Sequence, residues 1–277
     1  MKKDNDTVEK SIGRQKRGQV SIEEIERFNE VSVEELKGLL NSKEPKERTI
    51  GATLIGKRKC IDLVLVLCSA LENEKLLYPR IAISEALGEI GEPTVASLVS
   101  LLGKIGNNQE KELPLKYFNK RSYPLPRDIV SRTLIKVGKS AITELINKIK
   151  INDGFETQQA IDALGGIVNN TNDKRALSIM LESLDTYSNN KVTVWKIIRA
   201  LSGFRFIEAV IQLMRTYESS NEPAIRWESI RSIGQIGIVT PEVIELLNKA
   251  SEDVNDEVRK AAKIALKQIL VNQMIKL

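Results

Sequence analysis

The chain has 277 residues and is 42% hydrophobic but only 4% aromatic, with a formal net charge of +5. A core so poor in rings must be built from Leu, Ile, Val and Ala, as helix-stacking folds allow. The sequence contains no histidine, which excludes Ser-His-Asp and Cys-His catalysis and any histidine-based metal site.

Taken in order, residues 1–20 are polar, and Lys2, Lys3, Lys10, Arg14, Lys16 and Arg17 outnumber Asp4, Asp6 and Glu9. This stretch is expected to be a flexible basic N-terminal tail, followed by a single domain over residues 21–277. The polar start is not expected to act as a secretory signal. The longest apolar run, Cys60 to Leu71, contains Asp62 and falls well short of the roughly 20 residues of a membrane span. The expectation is a soluble, cytoplasmic protein with no membrane role. Ser21 with Glu24 and Ser32 with Glu35 have the spacing of capping boxes, so helices are predicted to start at both. Cys60 and Cys68 lie eight residues apart on one predicted helix, about 12 Å at a rise of about 1.5 Å per residue, which is too far for a disulfide. Both are expected to be buried small hydrophobes, with neither a metal nor a redox role.

From Arg80 to Leu102 the sequence predicts two amphipathic helices. Ile81, Ala82, Ala86, Leu87 and Ile90 form the apolar stripe of the first, and Val95, Leu98, Val99, Leu101 and Leu102 that of the second. Gly91 is placed to stop one helix at positive φ, and Pro93 opens the next. The same register returns at Arg127 to Gly138 and Arg226 to Gly237, with looser copies from Arg48 and Arg259 and two copies from Thr157 and Val194 that lack the arginine. Starts at 48, 80, 127, 157, 194, 226 and 259 are mostly 30 to 37 residues apart, the period of a stacked α-solenoid.

These residues resemble the HEAT repeat, and in particular the short phycobilisome-lyase-like form. Asp256-Glu-Val-Arg-Lys-Ala-Ala262 and Glu85-Ala-Leu-Gly88 carry the likeness. It implies an all-α fold, a right-handed superhelix of about six to seven HEAT-like helical pairs. It also implies that the repeated arginines Arg48, Arg80, Arg127, Arg226 and Arg259 bridge neighbouring units, and that the second helices line the concave groove, with Glu144, Lys148, Glu182, Gln212, Arg215, Glu245 and Lys249 on its surface. Trp195 and Trp227 share one repeat position and are expected to pack between repeats. Deoxyhypusine hydroxylases among the repeat relatives bind iron through His-Glu motifs, which this chain lacks.

One step, from 80 to 127, is 47 residues long, and its excess defines an insert at about 103–126. Lys104, Lys111, Lys116, Lys120 and Arg121 outnumber Glu110 and Glu112 there, so tail and insert together hold the excess positive charge and leave the repeats near neutrality. A nucleic-acid groove would instead spread cations along the helices. Tyr117, Phe118, Lys120, Arg121 and Tyr123 combine rings with cationic donors, as binding hot spots do. They are the candidate partner-binding residues, although the three rings could equally anchor the loop.

The leading functional expectation is a non-enzymatic scaffold, without cofactor or metal, that binds a protein partner through its groove and the insert. A nucleic-acid-binding alternative related to alkylated-DNA glycosylases ranks second, supported by the rings of the insert, the two Trp and a pI near 9.0. Bilin-lyase-like activity ranks third, on family likeness alone.

Overall fold

The computed structural model describes residues 11–106, 110–116, 126–151 and 154–274. Helix α1 covers residues 11–16. It is followed by α2 (Ile22–Glu26), α3 (Val33–Leu40), α4 (Pro45–Lys57), α5 (Val64–Asn73), α6 (Leu77–Ile90) and α7 (Val95–Leu101). After the insert come α8 (Ile129–Val137), α9 (Ile142–Ile151), α10 (Phe155–Thr171), α11 (Leu177–Thr186) and α12 (Lys191–Leu201). The chain closes with α13 (Ile207–Ser219), α14 (Pro223–Ile236), α15 (Pro241–Ala250) and α16 (Asp256–Met274). No strand occurs among the described residues. The architecture is the all-α solenoid that the repeat predicts.

The starts and stops follow from local chemistry. At Ser21 and Ser32 the hydroxyl accepts from the N3 backbone while the N3 glutamate accepts from the serine N–H, so both capping boxes form. Gly91, Gly138 and Gly237, which end the three best-matched copies, all sit at positive φ, between 70° and 85°. This is a region that a side chain would strain. Part of the segment expected as a tail is structured. Gly18 is buried beside Pro45 and Pro79, its carbonyl accepts from Thr49 Oγ1 at 2.8 Å, and Val20 packs on the core.

Even-numbered helices from α4 to α16 each pack directly on the next even one, whereas odd-numbered helices touch their own row sparsely. Each odd helix packs on the even helix that follows it, giving seven pairs from α3–α4 to α15–α16. The pairing is therefore shifted by one helix from the sequence reading. The Gly91 corner carries the chain from one layer to the next, and the insert lies within the α7–α8 pair.

The tight row is held close by small residues. A Cβ at Gly56 would come within 2.6 Å of Ala86 Cα, one at Gly165 within 2.7 Å of Ala200 Cα, and one at Gly234 within 2.6 Å of Ala265 Cβ. All three glycines occupy one repeat position and all three alanines another, so α4–α6, α10–α12 and α14–α16 interlock Gly against Ala. Hydroxyls tie the same row: Ser131 Oγ donates to Gln159 O at 2.9 Å, and Ser232 Oγ donates to Ile198 O at 3.1 Å. Curvature follows from this asymmetry, because the more closely spaced layer must lie on the inside of the bend. Side chains from α8, α10, α12, α14 and α16 accordingly surround one common cavity. The expectation that the odd row lines the groove is corrected on this point. Glu144, Lys148, Glu182, Gln212, Arg215, Glu245 and Lys249 belong to the outer, splayed row.

Leu87 and Ile233 are 0% exposed, so truncating either to Ala is expected to cost about 2–5 kcal/mol. Gly234→Ala, which adds a single methyl, is expected to destabilise by about 1–3 kcal/mol through overpacking against Ala265. Denaturant titration of the three variants checks both, and an unperturbed midpoint for Gly234→Ala would contradict the interlock.

Candidate functional site

The cavity inside the bend has a volume of about 810 Å³. Ile135, Ile264, Val271 and Pro126 give it apolar wall, while Asn169, Asn170, Gln235, Gln268, Lys267 and Arg199 supply polar groups. The amide-bearing residues fall at the C-terminal ends of α10 and α14 and in the C-terminal half of α16. Among the described residues no cluster of acids and thiols is arranged to hold a metal. The site is one of shape, amides and charge.

At its floor lies a buried charge cluster that sequence reasoning missed. Helix α10 is buried on nearly all sides from Thr157 to Val168, and on it Asp162 is 7% exposed. Lys196 Nζ and Arg199 Nη2, one turn apart on α12, each donate to Asp162 at 2.6 Å. Burial opposes ionisation of Asp162, but the Arg199 guanidinium and the Lys196 ammonium outweigh it and hold the carboxyl below its ordinary value. A second carboxylate, Glu110, arrives from the insert and lies 3.2 Å from Lys196, 3.5 Å from Arg199 and 3.6 Å from Arg127. The Arg199 guanidinium also lies 5.3 Å from the centre of the Trp195 ring, and Arg231 stands 5.8 Å from that of Trp227. Both tryptophans are buried between repeats as expected. The spacing of a Trp with an Arg four residues on, repeated in α12 and α14, was the available signal.

The insert is fastened at its base. Asp128, the N-cap of α8, accepts from Ser131 N at 3.0 Å and from Gly103 N at 3.1 Å, so one carboxylate joins the residue where the insert leaves to the helix where it ends. Burial pushes the Asp128 carboxyl up. Leu113 packs on the core while Leu115 is 92% exposed, so the described part of the insert both anchors and presents apolar surface. Tyr117, Phe118, Lys120, Arg121 and Tyr123 lie outside the described residues. Of their flanks, Pro126 lines the cavity and Glu110 lies 3.5 Å from Arg199, which lines it too.

The repeated arginines bridge units at both ends of the solenoid. Arg48 Nε donates to Glu74 at 2.7 Å, and Arg80 Nε donates to the Glu74 carbonyl at 2.8 Å. Arg226 donates twice to Asp253, at 2.8 and 2.9 Å, and Arg259 donates to the Asp253 carbonyl at 2.6 Å. Burial raises the Glu74 and Asp253 carboxyls, but hydrogen bonds from Arg48 and Arg226 reverse this and leave both lowered.

Residues 180–267 match the family profile of HEAT repeats. Among curated proteins none matches the chain. Solved structures align along most of its length at low scores. A designed armadillo repeat protein gives a TM-score of 0.41 at 16% identity, covering 86% of this chain and 100% of its own. The complex of CpcE and CpcF of phycocyanin lyase from Nostoc sp. PCC7120 gives 0.38 at 17% identity, over 88% of this chain and 89% of that one. Human deoxyhypusine hydroxylase in complex with glycerol gives 0.39 at 15% identity, over 92% and 94%. No described helix is long and apolar enough to cross a membrane.

Asp162, Glu74 and Asp253 all have folded-state pKa values below their unfolded ones, so their pairs stabilise the fold above the carboxylate range and lose that contribution as pH falls through it. Asp128 runs the other way, one group against three. The melting temperature is expected to be level from about pH 7 to about pH 5 and to fall below about pH 4. Differential scanning calorimetry across this range checks it, and a melting temperature that rises on acidification would contradict the assignment.

Proposed function

We propose, taking as premise that the chain is a HEAT-repeat protein, that it is a non-enzymatic, cytoplasmic scaffold that binds a segment of a partner protein in its inner cavity, with the insert as a second contact. The observation that carries this reading is the meeting of insert and inner face: on either side of the candidate residues, Pro126 lines the cavity and Glu110 contacts Arg199, which also lines it. The chemistry of the wall supports a peptide occupant. Asn169, Gln235 and Gln268 each offer donors and an acceptor, which suits the alternating N–H and C=O groups of an extended backbone. Leu115, almost fully exposed, adds an apolar contact beside Tyr117 and Phe118 in sequence.

The absence of histidine argues against the commonest catalytic sets, and rigid repeat scaffolds suit recognition through side-chain variation on a fixed curve. Lys120 and Arg121 set the charge preference of the insert towards an acidic partner.

Replacing Lys120 and Arg121 by Ser is expected to leave the melting temperature unchanged and to weaken capture of an acidic partner several-fold. Phe118→Ala separates anchor from contact: a lowered melting temperature marks an anchor, and lost capture at constant stability marks a contact. Full capture by both variants would remove the insert from the site, and salt-sensitive binding of random duplex DNA in a gel shift would overturn the protein-partner reading.

A further inference from the structure

Helix α16 is the last of the even row, and its two sides differ. Val258, Ala261, Ala262, Ala265 and Ile269 are buried, where the helix packs on α14 and α15. On the opposite side Lys260, Lys263 and Lys267 are exposed, and so are Ile264, Leu270 and Val271, at 44% to 52%. From Val258 to Met274 the chain holds no acid. In earlier even helices the repeat positions of Lys263 and Lys267 lie towards the next even helix. They are Ala52 and Gly56 on α4, Ile161 and Gly165 on α10, and Ile230 and Gly234 on α14, all buried. Lysine in the place of the glycine stops a further helix from interlocking there as α16 does with α14. What remains is an open face of aliphatic groups and three cations.

The other end of the stack has the opposite charge. Helices α2 and α3, which pack on α4 ahead of it, hold six glutamates against Arg27 and Lys37 between Ile22 and Leu40. Glu24 is engaged by Lys46 at 2.7 Å, and Glu34 lies 3.6 Å from Lys37. Glu23, Glu26 and Glu30 are exposed, and Ile22 and Val33 are exposed beside them at 68% and 48%. Each end of the stack therefore presents apolar side chains next to charge, acidic at the first end and basic at the last.

We infer that the open face of α16 docks the α2–α3 end of a second copy of this chain, head to tail. Charge complementarity selects this occupant, since both halves of the contact are carried by one molecule. The two surfaces differ, so the contact is heterologous, and each copy that joins leaves one surface of each kind free. Copies therefore add into an open row or close into a ring. Attraction between exposed charges is screened by salt, which makes the association reversible and salt-sensitive. The contact is independent of the partner reading, because Lys260, Lys263, Glu26 and Glu30 all lie outside the cavity wall.

Sedimentation velocity of the full chain tests the contact. The mass of the parent is expected to rise with concentration at about 20 mM NaCl and to return to that of the monomer at about 500 mM. Lys260→Glu with Lys263→Glu makes both ends acidic, and Glu26→Lys with Glu30→Lys makes both ends basic. Each double variant alone is expected to self-associate at least about ten-fold more weakly than the parent. Mixed one to one, the two are expected to regain association to within about three-fold of the parent, because the acidic α16 of one meets the basic α2–α3 end of the other. The four positions lie on the surface and outside both capping boxes, and an unchanged melting temperature marks each variant as folded. Should a reversal fold poorly, Lys260→Gln with Lys263→Gln removes charge alone, and a loss of about three-fold or more is expected. A parent that sediments as a single 31.0 kDa species at low salt would overturn the contact and leave α16 as a charged cap on the stack. Undiminished association of the folded variants, or a mixture that stays monomeric, would overturn it equally.

Discussion

The contact between Gly and Ala where α4 meets α6, α10 meets α12 and α14 meets α16 is the constraint on which the bend of the stack depends. Backbone can approach backbone at Gly56, Gly165 and Gly234 because nothing projects from the glycine, and the alanine opposite adds only a methyl group. Close spacing in one layer, with Leu- and Ile-rich odd helices wedged into the other, bends the stack towards the tight side. The cavity is the inside of that bend. Its depth therefore depends on the small size of residues in its own wall, Gly165, Ala200 and Gly234.

The middle of the solenoid departs from the repeat, and its departures coincide. Where α10 and α12 lack the bridging arginine, they carry Asp162, Lys196 and Arg199 on the inner side, and the insert supplies Glu110 to complete the set. Asp128 draws the base of the insert shut by accepting from Gly103 and Ser131. Long loops ordinarily add little to a fold beyond a modest closure entropy. Here the insert is tied by charge to α12 and to Arg127, and by the Asp128 cap to α8.

Much of the fold could be read in advance, because helical period, capping boxes and the three terminal glycines are local signals that tertiary context reinforces. The repeat register placed Leu87 and Ile233 in the core, and both are fully buried. Which helix row faces inward was not legible from amphipathicity, because helices of both rows show an apolar stripe. The decisive signal was the Gly-to-Ala correspondence between repeats, a pairwise relation that no single helix displays. The charge cluster was hidden for a similar reason. Asp162, Lys196 and Glu110 are each unremarkable surface-type residues in sequence, and only the crossing of α10, α12 and the insert turns them into one buried group.

The arginine bridges at the two ends have a mechanical consequence. In a linear array each unit is held by its neighbours alone, and a terminal unit has only one, so such arrays tend to unzip from their tips. Arg48, Glu74 and Arg80 lash together α4 and α6, and Arg226, Asp253 and Arg259 lash together α14 and α16. Each lashing spans a whole repeat and places strong charged hydrogen bonds where fraying would otherwise begin. The stack is thus bound at both ends like a sheaf, and the lashing at the second end also fixes α14 and α16, two of the helices that wall the cavity.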